Sequence, residues 1–490
     1  MVSAVGFLAT PRLLAWLGHE KYGAFNAVNQ WYAYVLLLEF GLGGALSPLL
    51  AHALAQTDPD AVRRTLAAGI RAYGRILFLM LAGGAILAWL IPHLILIAPQ
   101  SRTDLRMGCV LAMLGVLLIP LAPFRALVEA EQRNYVISLL LIAQSLLITG
   151  LALWWAYRGL GITGQFLAVL LGSSFFHVAL AVPYLDRGLW QALRHAPERA
   201  LNQRLWKLSG LTFVFNIAGR LSILSDNIVV AFLMGPAQVV PFLLTQRLPV
   251  FAQTQLQALG GGTWAAMAEL HFTGQHTLFR QRLLEITRLV AVLATAVLVP
   301  ILLFNRMFVT LWVGPREFGG WGVNLLAVLD AFFLAIISFW GWLFSGTGRV
   351  GRLLPQQVAG AVVNLTASLI LTYRYGLVGP LLGTLITYVG ISVPVLFWLL
   401  QRDFGVSSLR LFMAIAGPLF YAAVFLALLK AAGGGGAPAG WVSLLWRFLL
   451  VATTFLASAW YVLVSGQERA LWQASLHRAI LQFRARMSPA

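Results

Sequence analysis

Long apolar runs alternate with short polar segments along almost the whole chain. Fourteen runs have the character of transmembrane helices, which need about twenty apolar residues to cross a bilayer. They lie at residues 2–17, 24–55, 74–98, 107–128, 135–156, 162–185, 208–234, 240–270, 287–313, 321–345, 355–373, 378–400, 411–429 and 441–465. The two longest, 24–55 and 240–270, exceed one crossing and are expected to extend beyond the bilayer or to bend. The pattern predicts an all-α polytopic membrane protein with about fourteen transmembrane helices.

The overall composition excludes several classes of protein. Of the 490 residues, 60% are hydrophobic and 10% are charged, whereas soluble proteins carry about 25% charged residues. A soluble domain this apolar could not cover its surface with polar groups, which excludes a soluble enzyme, a disordered tail and a secreted disulfide scaffold. No loop between the runs is long enough for a separate soluble domain, so the function is expected inside the helical bundle.

The charge balance is strongly basic, with 34 Lys and Arg residues against 16 acids and a formal net charge of +18. In a soluble protein this excess would indicate a nucleic-acid partner. Most of these cations lie in the loops after even-numbered runs and in the C-terminal tail. The positive-inside rule therefore assigns those loops and both termini to the cytoplasm. The net charge is mainly topological, and no nucleic-acid partner is expected.

The chain contains an internal repeat. The segment from Gly18 to Arg71 aligns without gaps onto Gly235 to Arg288, and Gly161 to Gly164 matches Gly376 to Gly379. Parallel lobes with a substrate site between them near the midplane are one known transporter architecture. The predicted organisation is an N-terminal lobe at 1–200 with runs 1–6, a C-terminal lobe at 201–405 with runs 7–12, runs 13 and 14 at 406–466, and a basic amphipathic cytoplasmic tail at 467–490.

Glycine clusters occupy matching places in the two lobes. The second and eighth runs contain Gly41, Gly43, Gly44, Gly260, Gly261 and Gly262. Paired glycine interruptions point to a transport site or a hinge, and Gly43, Gly44, Gly260 and Gly261 are the hinge candidates. The alternative is close helix packing, because small residues are common where membrane helices touch.

Several short motifs resemble those of one transporter family. Leu17 to Gly23 is similar to an LG-x-x-x-[YF]-G turn, and Glu39 to Ala45 is similar to an acidic-x-GL-x-x-A stretch. Ser225 to Val230 and Gln246 to Leu248 match the patterns of the seventh and eighth spans. In their order and spacing the motifs resemble the polysaccharide flippases of the multidrug/oligosaccharidyl-lipid/polysaccharide exporter superfamily. The likeness covers roughly residues 1–400, and Glu39 stands where the family more often has Asp.

The resemblance implies a two-lobed, V-shaped transporter in the bacterial cytoplasmic membrane that works by alternating access. Its expected cargo is an undecaprenyl-diphosphate-linked oligosaccharide, carried from the cytoplasmic to the periplasmic leaflet for surface polysaccharides such as O-antigen of lipopolysaccharide. Related lipid II flippases carry additional arginines in their first two spans, where this chain has only Arg12, which makes lipid II a less expected substrate. The bilayer and other polysaccharide-assembly membrane proteins are the expected partners.

Polar side chains form stripes on three apolar runs, when successive residues are placed about 100° apart on a helix. The stripes consist of Asn29, Tyr32 and Glu39; of Asn216, Arg220 and Asn227; and of Gln246, Gln253 and Gln257, with Arg247 adjoining. Stripes on paired helices of both lobes favour a water-filled cavity. The alternative is hydrogen bonding between helices.

Charges inside membrane spans are costly and are functional candidates by default. Arg12, Arg220 and Arg247 are the candidate ligands of the substrate diphosphate, because the planar guanidinium holds phosphate oxygens with two donors. The residues expected along the glycan path are Asn29, Trp31, Tyr32, Asn216, Asn227, Gln246, Gln253 and Gln257. The alternative for the arginines is structural ion pairing, with Glu39 or Asp330 as partners.

Glu39, Asp226 and Asp330 are candidates for proton or cation coupling, because desolvation raises the pKa of a carboxyl group. The alternative is charge balance for the arginines. The histidines are dispersed without metal-ligand spacing, and no Walker motif is present, so neither a metal nor a cofactor is expected.

Three rival functions stay open at this point. A multidrug or organic-cation exporter of the same superfamily should favour an acidic, aromatic cavity, whereas three intramembrane arginines favour an anionic ligand. A membrane-embedded polysaccharide polymerase or ligase typically needs a large external loop with catalytic residues. A purely structural scaffold leaves the intramembrane charges unexplained.

Overall fold

The structure is a computed structural model that describes residues 2–463, apart from 38, 40, 57, 96, 195–198, 225 and 432–439, together with Gly466 and Arg469. Nearly the whole described chain is helical, and these residues contain no β-strand. The predicted amphipathic tail at 467–490 lies outside the described residues, apart from Arg469.

Eighteen α-helices are found in the described chain. They are α1 (Val2–Leu37), α2 (Leu42–Ala55), α3 (Pro59–Leu94), α4 (Arg102–Val116), α5 (Ala122–Ala130), α6 (Asn134–Tyr157), α7 (Gly161–Ala181), α8 (Arg187–Arg194), α9 (Arg199–Leu224), α10 (Asp226–Met234), α11 (Pro236–Phe272), α12 (His276–Trp312), α13 (Trp321–Gly346), α14 (Leu354–Tyr375), α15 (Gly379–Thr387), α16 (Val393–Phe404), α17 (Ser408–Ala431) and α18 (Trp441–Leu463).

Each predicted apolar run lies on one or more of these helices, and the predicted all-α polytopic membrane fold is confirmed. Within the described residues, nine segments are by themselves long and apolar enough to cross a membrane. The run 378–400 comprises α15, a short π-helical turn at Tyr388–Ser392 and α16. Such π-helical turns inside helices occur frequently at functional sites.

The first two runs are separated by glycine rather than by a loop. Gly18 interrupts α1 with a φ of 75° and a ψ of 167°, a backbone conformation that side chains with a β-carbon rarely adopt. The second run is broken again between Leu37 and Leu42, where Gly41 has a φ of 69°. The long run at 24–55 therefore bends, as predicted. In contrast, α11 continues through 37 residues and covers the other long run.

The chain divides into two compact units. The first consists of Met1–Leu243 and Gln357–Thr384, and its core lies where α2 packs on α3 and α5, around the buried side chains of Leu46, Tyr73 and Phe124. Gly69 of α3 contributes to this packing, because a β-carbon there would come within 2.8 Å of Leu46.

The second unit consists of Leu244–Gln356 and the described part of Leu385–Ala490. In it, α17 and α18 pack on α12 through an apolar cluster that includes Val292, Ala422 and Phe455. The two last apolar runs are thereby part of a compact helical core. The lobe boundaries at residues 200, 405 and 466 stay a prediction.

Candidate functional site

Glu39 lies in the break between α1 and α2, and a side chain of α3 holds it there. The Tyr73 hydroxyl donates a hydrogen bond to Oε2 of Glu39 at 3.3 Å, and Tyr73 is almost fully buried. The amide of Leu42, the fully buried first residue of α2, donates to the Glu39 carbonyl at 3.2 Å. The structure thus places a carboxylate of an apolar run at a point where the backbone bends.

The predicted stripe of Asn29, Tyr32 and Glu39 assumed one continuous helix and is wrong in this respect. Helix α1 ends at Leu37, so Glu39 does not share a helical face with the other two residues. Asn29 is exposed, whereas Trp31 and Tyr32 line a small apolar cavity in the first unit, against α3 and α4. The structure thus brings Trp31 and Tyr32 together at one cavity.

The four hinge candidates all lie within helices. Gly43 lies within α2, where a β-carbon would meet the Tyr73 hydroxyl at 3.4 Å, an ordinary contact distance. Gly44 is exposed in the same helix. In α11, Gly260 and Gly261 lie in a continuous helix, and a β-carbon at Gly261 would have open space. The left-handed glycine in the second run is Gly41, and a hinge at the other positions stays a prediction.

The predicted stripe of Asn216, Arg220 and Asn227 on the seventh run stays a prediction. The described residues of this run form α9 up to Leu224 and α10 from Asp226. The side chains of Asn216 and Arg220 lie outside the described part of the chain. Asn227 is buried in α10. Asp226 is the first described residue of α10.

The glutamine stripe of α11 does lie on one continuous helix. Gln257 Nε2 donates to the Ser338 hydroxyl of α13 at 2.8 Å, which agrees with the alternative of hydrogen bonding between helices. Gln246 and Gln253 are partly exposed along the same helix. Arg247 is partly buried, whereas Arg12 of α1 is exposed.

A buried polar network next to Gln246 was not predicted from the sequence. Asn305 of α12 donates through Nδ2 to the Thr245 carbonyl and to Oδ1 of Asn324, each at 2.7 Å. The Thr245 hydroxyl accepts a hydrogen bond from the Gly319 amide, also at 2.7 Å. The side chains of Thr245, Asn305 and Asn324 are fully buried. The sequence signal for this network was the presence of asparagine side chains in the apolar runs at 287–313 and 321–345. The network fixes the position of the segment that carries Arg247.

Asp330 is buried in α13, with 7% of its surface exposed. It lies six residues after Asn324 on the same helix. A buried carboxyl group in an apolar helix is expensive unless it is paired or protonated. Its position therefore fits both predicted roles, namely coupling and charge balance. Within the described residues, no group of three or more His, Cys, Asp or Glu side chains could hold a metal ion.

Comparison with known proteins identifies the fold. No protein-family model and no curated protein sequence matches the chain. The lipid II flippase MurJ in an inward closed conformation superposes with a TM-score of 0.73 and 12% identity, covering 95% of this chain and 98% of its own. An inward-facing multidrug resistance MATE transporter of the MOP superfamily superposes with a TM-score of 0.66 and 14% identity, covering 79% of this chain and 92% of its own.

The chain has the fold of the MOP superfamily transporters. An outward-facing MATE transporter also matches, with a TM-score of 0.57, 14% identity, and coverage of 82% of this chain and 93% of its own. These neighbours are transporters and a flippase, and both groups are only distantly related to this chain in sequence. The shared fold agrees with the expected superfamily, while the polysaccharide flippase branch is a narrower proposal.

Proposed function

We propose that this protein is a flippase that moves undecaprenyl-diphosphate-linked oligosaccharides from the cytoplasmic to the periplasmic leaflet by alternating access. The observation that carries the proposal is the superposition on a lipid II flippase over 95% of the chain, with the highest of the three TM-scores given above. The motifs at Leu17 to Gly23 and Glu39 to Ala45 agree with the same branch. The protein acts in the bacterial cytoplasmic membrane with both termini in the cytoplasm, and it is not an enzyme.

The substrate diphosphate is bound by Arg12, Arg220 and Arg247 in this proposal. A guanidinium stays charged when it is partly buried and matches two phosphate oxygens with parallel donors. Arg247 is supported by the buried network, because the carbonyl of Thr245, two residues earlier, accepts the hydrogen bond of Asn305. A cation on such a rigid segment loses little conformational freedom when it binds an anion.

The glycan passes the amide side chains of α11. Gln246 and Gln253 are partly exposed, and amides offer both donors and acceptors to sugar hydroxyl groups. Asn29 is exposed on α1 and contributes in the same manner. Gln257 is engaged with Ser338, so its part is to fix α11 against α13 rather than to bind the sugar.

The acids Glu39, Asp226 and Asp330 couple transport to a proton or a cation in the proposal. Glu39 is the strongest of the three, because its carboxylate lies at a backbone break and accepts a hydrogen bond from Tyr73. A change in its protonation alters a contact at a point where the helix already departs from regular geometry.

The second candidate is a cation-coupled multidrug exporter. The superposition on an inward-facing multidrug resistance transporter with a TM-score of 0.66, together with the acid at the break, favours it. The two functions differ in the charge of the cargo. An exporter of organic cations gains nothing from Arg247, whereas a diphosphate carrier depends on it.

The test is transport by the purified full-length chain in proteoliposomes. A fluorescent undecaprenyl-diphosphate oligosaccharide is placed in one leaflet, and its appearance in the other leaflet is measured by a membrane-impermeant quencher. We expect flipping by the wild type, a loss of at least tenfold in Arg247→Gln, and near wild-type rates in Arg306→Gln, whose side chain is exposed near a span end. Uptake of organic cations without movement of the lipid would establish the exporter instead.

A further inference from the structure

A groove on the surface of the first unit lies between the second half of α3 and α4. It encloses about 730 Å³, a volume within the range of about 300–1,000 Å³ typical of ligand pockets. Its walls are formed by residues such as Leu81, Ala85 and Trp89 of α3 and Val110 and Leu114 of α4. Both helices belong to segments that are long and apolar enough to cross a membrane, so the groove lies along membrane-spanning helices.

The floor of the groove is a close contact between the two helices. Met113 of α4 lies where a β-carbon on Gly84 of α3 would overlap it. Glycine at this position lets the Met113 thioether lie against the backbone of α3, and the groove lining continues to Trp89 and Arg106. The lining is apolar apart from His93 and Arg106, and its apolar part is called the slot below.

The walls are exposed as well as apolar. Trp89 is 69% exposed, and Val110 is 50% exposed. Side chains of this kind on a transmembrane segment contact acyl chains, because no water is present at that depth. A slot of this shape therefore receives a hydrocarbon chain rather than a sugar.

The mouth of the groove is polar. His93 Nδ1 donates to the Trp89 carbonyl at 2.8 Å, and the two rings lie 5.2 Å apart. Tryptophan at the end of a span marks the interface with water. Arg106 lines the same mouth and is exposed. The loop between α3 and α4 follows an odd-numbered run, so the arginine distribution assigns the mouth to the external leaflet.

Asp104, the acid nearest to Arg106 in sequence, has partners other than Arg106. Asp104 accepts hydrogen bonds from the backbone amides of Ile162 and Thr163, each at 2.8 Å, and lies 3.8 Å from Lys21. No carboxylate is present among the described residues that line the groove. The mouth therefore offers one guanidinium to an anion without a competing acid in its lining.

We propose that this groove binds an anionic phospholipid of the external leaflet, with an acyl chain in the slot and the phosphate at Arg106. One guanidinium matches the single charge of a phosphodiester. A polyprenyl diphosphate carries more charge than this mouth balances, so the groove is distinct from the transport site of the proposed function. Such a lipid is a permanent ligand of α3 and α4 in the first unit.

The proposal is tested by native mass spectrometry of the full-length protein with phosphatidylglycerol or phosphatidylethanolamine added. We expect at least a fivefold preference for phosphatidylglycerol in the wild type, which Arg106→Gln abolishes and Arg106→Lys retains in part. Arg102→Gln is the matched control, because Arg102 is an exposed arginine of the same helix that does not line the groove. Val110→Trp, which fills the slot, should lower retention of both lipids.

Four results would overturn the proposal. Equal retention of the two lipids by the wild type would show that the anionic headgroup is not recognised. Equal effects of Arg102→Gln and Arg106→Gln would show only a general attraction of the anionic lipid to positive charge. Unchanged retention in Val110→Trp would place the lipid outside the slot. Displacement of phosphatidylglycerol by undecaprenyl diphosphate in the wild type but not in Arg106→Gln would assign the groove to the cargo. Flipping by Arg106→Gln is measured in parallel, so failure here is separable from failure of the proposed function.

Discussion

The Tyr73 hydroxyl and the Glu39 carboxylate are joined by a hydrogen bond of 3.3 Å across the break between α1 and α2. Tyr73 belongs to the apolar core of the first unit, where only 1% of it is exposed. The bond therefore links a rigid part of α3 to a backbone segment that contains left-handed Gly41. Because the buried Tyr73 hydroxyl donates to a carboxylate at a bend, the local geometry should depend on whether Glu39 is protonated.

Glu39→Gln and Glu39→Ala separate the two roles of this acid. The amide of Gln keeps an acceptor for Tyr73 but cannot take up a proton, whereas Ala removes the acceptor as well. If Glu39 is a coupling residue, both variants lose transport by at least tenfold in the proteoliposome assay. If it is only a structural partner, Gln retains transport and Ala does not. Glu269→Gln, at an exposed acid of α11, serves as the control.

Gly23→Ala should strongly destabilise the protein. Gly23 belongs to the motif after the first run, and a β-carbon there would overlap the carbonyl oxygen of Pro236. Overpacking typically costs about 1–3 kcal/mol, and backbone yields less readily than a side chain. Thermal unfolding in detergent measures the effect. Gly74→Ala is the matched control in α3, where a β-carbon meets open space, and it should be stabilising by up to about 1 kcal/mol.

Asn305→Leu should destabilise the second unit by about 1–3 kcal/mol, because it removes the donor to Thr245 and Asn324 inside a fully buried network. Denaturant unfolding followed by tryptophan fluorescence measures the loss. In Thr310→Val the hydroxyl lost is bonded only to the Arg306 carbonyl of its own helix, so stability should be close to that of the wild type. Equal effects in the two variants would contradict an energetic role of the network.

Gln257 and Ser338 should show coupling in a double-mutant cycle. Their hydrogen bond of 2.8 Å joins α11 to α13, and such bonds in membrane proteins contribute about 0.6 kcal/mol on average. Gln257→Leu and Ser338→Ala should each lower stability, and the double variant should lose less than the sum. Gln253→Leu should instead reduce transport at unchanged stability, since Gln253 is assigned to the glycan path. Additive effects at positions 257 and 338 would exclude the coupling.

Acid should weaken the polar contact between the start of helix α8 and α3. The pKa of Asp186 is lowered from its ordinary value of 3.8, first by the Leu189 amide and then by Arg63 of α3. Since the folded-state pKa lies below the unfolded value, this stabilisation is complete above about pH 3.8 and is lost as the pH falls through the folded-state pKa. Hydrogen exchange of the Leu189 amide should therefore accelerate at the acid end. Asp186→Asn should remove this pH dependence, whereas Asp60→Asn should retain it.

The sequence alone determined the number and place of the apolar runs, because the cost of burying a backbone polar group in lipid forces each run into a helix. The motif glycines Gly18 and Gly23 were also predictable as turn residues. The sequence did not reveal why each position needs glycine. Gly18 adopts a left-handed φ, whereas Gly23 makes room for Pro236. The bend in the run 24–55 was expected, but its place at Gly41 was not.

The polar stripes show where prediction from a single chain ends. A helical wheel assumes an unbroken helix, so it placed Glu39 on the face of Asn29, although α1 ends at Leu37 and Gly41 has a left-handed φ. On the unbroken α11 the stripe persisted. Only the tertiary structure decided that Gln257 bonds to Ser338, 81 residues away, and that Asn305 bonds to Thr245, 60 residues away. The physical reason is that lipid determines whether a segment is helical, whereas packing between distant segments determines which polar group finds a partner.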